Sequence, residues 1–208
     1  MIISDHQQSV KRGRPLSFDR DAALGRAMLL FWAHGYEATS IADLTTAMGI
    51  TPPSLYAAFG DKKRLFLAAV DLYRAGNGAG SVASDQMIDA APNAADAARQ
   101  MLDGSAVHFT GKNTPPGCLL ATGAISCSAA AADVQTAIAA IRLGVEARLR
   151  EKILADIASG LIPQDTDAEI LAAYIMAMIQ GMSTLARDGA SRQKLQTLAN
   201  AIMLGWPV

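Results

Sequence analysis

Residues 40–59 read SIADLTTAMGITPPSLYAAF, a stretch that encodes two short helices joined by a tight turn. Ser40 followed by Asp43 resembles a capping box with Asp in place of Glu, which sets a helix start at Ser40. Ile41, Leu44 and Met48 supply a short apolar stripe that Gly49 closes, so this helix has only about two to three turns. Thr51 is a good N-cap for the next helix. Pro52 and Pro53 fall in its first turn, where their missing N–H groups would have no intrahelical partner anyway. Leu55 and Phe59, one turn apart, form its inner edge and leave Thr51, Pro53, Ser54 and Tyr56 nearer the outer surface. Gly60 stops it.

Outward from this unit the pattern stays helical. On the N-terminal side, from Ser17, Ala23, Ala27, Leu30, Phe31 and His34 follow spacings of three and four, Asp19 and Asp21 sit where the helix dipole favours acids, and Gly35 ends the segment. On the C-terminal side a helix is expected from about Asp61 or Lys62, with Leu65, Phe66, Ala69, Val70 and Tyr73 on its buried face. Residues 1–16 are polar, contain Gly13 and Pro15, and read as a flexible basic arm. Breaks are expected at Gly76 to Gly80 and at Pro115-Pro116-Gly117, and helices at 116–126, 130–158, 166–188 and 191–204. The segment Ile170 to Leu185 is apolar nearly all round, which predicts burial on more than one side.

Composition agrees with an all-α chain. Hydrophobic residues make up 51% of the 208, but only 5% are aromatic, and the abundant Ala, Leu, Ile and Met are good helix formers. No apolar run is read as reaching the roughly 20 residues that span a bilayer, and a cytoplasmic location is expected. Two cysteines, Cys118 and Cys127, make neither a disulfide framework nor a usual zinc spacing, so no metal or other cofactor is expected. The net charge of -1 says little about partners, but its distribution is informative: residues 1–74 hold nine Lys and Arg against seven acids. Lys11, Arg12 and Arg14 cluster before the first helix, and Lys62, Lys63 and Arg64 just after the third.

Two short helices with a Gly turn fit helix-turn-helix geometry, in which the second helix enters the major groove. An ordinary three-helix packing unit has the same spacing. The run Gly35-Tyr36-Glu37-Ala38-Thr39-Ser40-Ile41-Ala42-Asp43-Leu44, then Met48-Gly49-Ile50-Thr51, then Ser54-Leu55-Tyr56-Ala57-Ala58-Phe59-Gly60-Asp61-Lys62, resembles the N-terminal domain of TetR-family repressors. The resemblance implies an N-terminal three-helix DNA-binding domain over 17–62 and a larger helical ligand-binding and dimerisation domain over 63–208. It implies double-stranded operator DNA, a small-molecule effector and a second copy of the chain as partners, with no membrane.

It also assigns roles. Thr39 or Ser40 matches a phosphate contact, although either is also a plain N-cap. Tyr56 matches a recognition-helix tyrosine that meets a phosphate, and Lys62 a lysine suited to a backbone contact. Thr51, Pro52, Pro53 and Ser54 occupy base-facing positions, where methyl and ring carbons suit a thymine methyl and a hydroxyl suits several base edges. The helix carries no Arg, Asn or Gln, so bidentate readout is missing and specificity is expected to lean on DNA shape and the arm. Arg12 and Arg14, with Lys11, resemble arms that enter a narrow minor groove, although a charge run is also commonly a solvated tail. In the body, Ile175, Met176, Met178, Ile179 and Met182 are candidates for the dimer seam.

Cys118 follows Pro-Pro-Gly and is expected at a helix N-terminus, where the dipole would lower its thiol pKa. His108, Phe109, Cys118 and Met178 are the candidate effector-binding residues. The primary reading is a repressor that releases its operator on binding a small molecule; the alternative is a thiol-based sensor acting through Cys118. Cys118 and His108 as nucleophile and base would be an enzyme, but no third orienting group stands out, and no catalytic residue is assigned. A helical adaptor that never touches DNA is a third reading, opposed by the basic arm and Lys62.

Overall fold

The computed structural model describes residues 18–76 and 84–207, and the regular elements among them are all helical. Helix α1 (Arg20–His34) starts where the Asp19 carboxylate accepts from the N–H groups of Asp21 and Ala22, each at 3.0 Å, and ends at Gly35. Helix α2 (Ile41–Met48) carries the expected capping box in full: Ser40 Oγ accepts from the Asp43 N–H at 3.1 Å, and the Ser40 N–H donates to the Asp43 carboxylate at 3.0 Å. Gly49 leaves α2 at φ 68°, a left-handed conformation that favours glycine and turns the chain at once into the next helix. Helix α3 (Pro52–Phe59) begins on Thr51 with both prolines in its first turn, and α4 (Lys62–Arg74) begins on Asp61.

The remainder comprises α5 (Ser84–Ala90), α6 (Ala94–His108), α7 (Leu119–Thr122), a 3-10 turn (Ala129–Ala131), α8 (Ala132–Ser159), α9 (Ala168–Arg187) and α10 (Arg192–Met203). The helix expected at 116–126 is cut to the single turn of α7. Pro115, Pro116 and Gly117, the last at φ 80°, hold its start in a non-helical path, and Gly123 follows its end.

Buried side chains form two clusters. One gathers α1 to α4 around Phe31, Trp32, Leu44, Leu55 and Phe66, and recruits Leu119 of α7 with Val134 and Ile138 of α8. The other fills the space between α5, α6, α8, α9 and α10. Helix α4, assigned from sequence to the body, therefore contributes Leu65, Phe66, Ala69, Val70 and Tyr73 to the N-terminal cluster. Within the body, the buried Asp156 of α8 accepts from the Ala94 N–H at 2.6 Å and satisfies a donor that the first turn of α6 leaves open.

Helix α9 corrects two expectations. It is long and apolar enough to cross a membrane by length and composition alone, but it packs against α6, α8 and α10 as part of the body core. Within one protomer its burial is confined to a single face. Ile175, Met176 and Met182 face the interior of their own chain, whereas Ile170 and Tyr174 on the opposite face are 65% and 39% exposed. Of the five residues expected at a dimer seam, three are thus intramolecular core.

Candidate functional site

The first site is the outer surface of α2, α3 and the head of α4. Leu55 and Phe59 are buried, and Thr51, Pro52, Pro53 and Tyr56 are exposed, so α3 presents the face expected from its sequence. Thr51 Oγ1 and Ser54 Oγ lie 3.0 Å apart, which fixes two small hydroxyls side by side at the start of α3. Tyr56 is 49% exposed and its phenol makes no contact with the helices behind it among the described hydrogen bonds. Arg26 of α1 donates to the Met48 carbonyl at 2.8 Å, holding the end of α2 and hence the entry to α3 against the supporting helix.

Lys62 stands at the first position of α4 with its ammonium 4.4 Å from the Tyr36 ring centroid. Burial lowers its pKa, and the nearby Glu37 carboxylate opposes that shift. Lys63 is paired with Asp133 of α8 and Arg64 with Asp61, so of these three side chains Lys62 is the one whose charge is not taken up by an ion pair among the described residues. Thr39 corrects the sequence reading: it is 1% exposed, and its hydroxyl donates to the Gly35 carbonyl at 2.6 Å, closing the turn after α1. Ser40 is exposed at the N-terminus of α2, where its hydroxyl donates to the Asp43 carboxylate at 2.6 Å as part of the capping box. Arg12 and Arg14 lie outside the described residues.

The second site is a cavity of about 110 Å³ between α4, α6, α8 and α9. His108, Phe109 and Cys118 line it, as expected; Met178 does not. Helical register is the reason: Met176 and Ile179 point toward the cavity, whereas Met178, between them, packs elsewhere against the body core. Tyr73, Met101, Arg142, Gln180 and the ion pair of Arg74 with Asp85 (2.8 Å) are among the lining residues that the sequence reading missed. Arg142 left a faint signal, a single charge inside the apolar run AIAAIRLGV at 137–145.

The Tyr73 phenol lies 2.8 Å from His108 Nε2 and 3.3 Å from Cys118 Sγ. Burial pushes the Cys118 thiol upward, opposed by the Tyr73 hydrogen bond and by the N–H groups of α7. The thiol pKa is therefore shifted up by burial rather than down as expected, and the thiol-sensing alternative is not favoured.

Three sets of contacts join α1 and the turn after it to the body, and the first of them starts at the cavity wall. Trp32 of α1 stacks on His108 (centroids 5.0 Å apart, planes 22°), meets Tyr73 edge-on at 5.0 Å, and donates from Nε1 to the Gly117 carbonyl at 3.1 Å. Arg187, in the last turn of α9, donates to the Trp32 and Ala33 carbonyls at 3.2 and 2.7 Å and to Thr122 Oγ1 at 3.1 Å, placing a cation at the C-terminal end of α1. Glu37 accepts from the N–H and the hydroxyl of Ser128, both at 2.7 Å, and these bonds hold its carboxyl below its usual pKa.

A small helix-turn-helix head set on a helical body that encloses a cavity defines a one-component DNA-binding regulator. The family model described as bacterial regulatory proteins, tetR family, matches residues 23–69, and that of the tetracyclin repressor-like C-terminal domain matches residues 94–202. The chain belongs to the TetR family of transcriptional regulators. It is 39% identical to the HTH-type transcriptional repressor ComR of Escherichia coli (strain K12), over 99% of this chain and 98% of that protein. It is also 31% identical to the repressor BdcR of the same strain, over 96% and 93%. A solved structure of a cysteine variant of the TetR-family regulator CifR, complexed with 26-bp operator DNA, superposes with a TM-score of 0.85 at 37% identity, over 94% of this chain and all of that one.

If α3 reads bases as its exposed face indicates, Ser54→Ala will change the preferred operator sequence while leaving affinity for unrelated DNA alone. Selection of binding sites from a random DNA pool compares the two proteins, and identical consensus sequences would remove Ser54 from the base-facing set.

Proposed function

We propose that the chain binds a two-fold operator as a homodimer, represses transcription there, and lets go when a small molecule occupies the cavity between α4, α6, α8 and α9. No enzymatic step is part of this reading. Ser40, Tyr56 and Lys62 contact phosphates, and Thr51, Pro52, Pro53 and Ser54 face the bases. The exposed apolar side chains Ile170 and Tyr174 of α9, with Leu204 just beyond α10, supply the self-complementary surface. Kinship with named repressors and with an operator-bound regulator supports the DNA-binding part.

The observation that carries the regulatory part is the shared wall: His108 and Tyr73 line the cavity and pack directly on Trp32 of α1. A ligand that displaces either ring must move α1 or α4, on which the recognition helix rests, and a ligand that binds one arrangement better than the other shifts the population between them. Filling the cavity covalently should mimic the ligand. Ala121, 6% exposed, lines it, and Ala121→Leu adds three carbons there. The variant is expected to bind operator at least about tenfold more weakly than the parent, within the usual range of allosteric coupling. Fluorescence anisotropy on labelled operator, alongside helicity and dimer mass, reads the effect. A folded, dimeric Ala121→Leu with parental affinity would count against the cavity as the regulatory site.

A further inference from the structure

The ionisable lining of the cavity is unbalanced. Arg74 is neutralised by Asp85 at 2.8 Å, and among the described lining residues Arg142 of α8 is the other Lys or Arg side chain. The ion pairs formed among the described residues do not include Arg142, and Glu146, one turn further along α8, is not part of the lining. One guanidinium N–H of Arg142 donates to the Leu120 carbonyl at 2.8 Å, which anchors the group at the cavity edge and leaves further donors of its planar fork for a ligand. Around it the surface is largely apolar, with Met101, Phe109, Val145, Met176 and Ile179. Tyr73 and His108 lie on the same wall and are already bonded to each other.

We infer that the effector is a small monoanion, a carboxylate on a compact apolar body, held by Arg142. This rests on the reading of the cavity as the effector site. A cation with no carboxylate partner among the described residues, in a mostly apolar pocket, is stabilised by an anion that accepts two N–H bonds from its fork, and carboxylate matches that geometry. A cationic ligand would meet repulsion, and a neutral one would leave the guanidinium charge uncompensated. A compact body suits the volume, since about 110 Å³ is of the order of cavities that take up a single benzene ring. The ligand class is therefore a monocarboxylate bearing one ring or a short branched chain.

The test is isothermal titration of the full-length chain with benzoate, benzamide and benzylamine at pH 7.5, three probes of one shape and different charge. Benzoate is expected to bind at least about tenfold more tightly than benzamide, a difference of about 1.4 kcal/mol, and benzylamine not at all. Arg142→Met should abolish the preference for benzoate, and Arg142→Lys should restore part of it. Equal binding of benzamide, tighter binding of benzylamine, or no binding by any of the three overturns the inference. So does a preference that survives Arg142→Met. If that variant does not fold, the rank order on the parent chain decides. A neutral probe that binds and releases operator would sink the charge assignment while leaving the cavity as effector site intact, and the Ala121→Leu experiment tests the latter independently.

Discussion

Trp32→Ala is expected to lower the unfolding free energy by about 3–5 kcal/mol, the range for removing a buried tryptophan from a packed core. Trp32 is fully buried, touches both His108 and Tyr73, and spends its indole N–H on the Gly117 carbonyl. Its removal leaves a void at the junction of α1, α4 and α6 and an unpaired carbonyl beside it. Denaturant unfolding followed by circular dichroism measures the loss. Trp32→Phe is the informative companion: it keeps most of the volume and the stacking on His108 but not the hydrogen bond. It should recover much of the stability. If Trp32→Ala costs less than about 1 kcal/mol, the described junction does not carry the weight assigned to it.

Tyr56→Phe combined with Lys62→Ala should weaken operator binding about a hundredfold, with each change contributing about tenfold, because a hydrogen bond to a charged phosphate is worth about 1.5 kcal/mol or more. Tyr56 is half exposed, and removal of its hydroxyl disturbs no described contact within the chain. Lys62 gives up its approach to the Tyr36 ring and its attraction to the Glu37 carboxylate, with which it forms no ion pair, so thermal stability should change little. The loss should be similar for cognate and unrelated DNA, since phosphate contacts position the protein and carry no sequence information. Anisotropy titrations on both duplexes separate this from the Ser54→Ala outcome. Unchanged affinity in the double variant would move the DNA-facing surface away from α3 and the head of α4.

The head was legible because its signals are local. Ser40 with Asp43, Gly49 at positive φ, and Thr51 before two prolines each act within one helical turn, so pattern and structure agree there. Thr39 and Ser40 look alike in sequence. What separates them is the turn after α1, where Thr39 folds inward to bond Gly35 and Ser40 is left at the surface. The cavity was half legible. His108, Phe109 and Cys118 drew attention as the polar or aromatic residues flanking a Pro-Pro-Gly break, and they do meet there.

What joins them could not be read from spacing. Tyr73 comes from α4, Arg142 from α8, and Trp32 reaches Gly117 across 85 residues of sequence. Met178 failed because a difference of one or two residues in helical register moves a side chain from the cavity to the packing around it. The Cys118 thiol failed because sequence shows a helix start but neither its one-turn length nor the burial that outweighs its dipole.

In the proposed function the chain holds DNA through α3 and the head of α4 as an operator-binding dimer. Anisotropy of the full-length protein on the DNA upstream of its own gene, titrated at salt concentrations from about 50 to 200 mM, tests it most directly. Saturable binding with two protomers per site is expected, with a steep fall in affinity as salt rises and a shallower slope for Lys62→Ala. Absence of binding at the lowest salt, or affinity indifferent to both salt and Lys62, would contradict it.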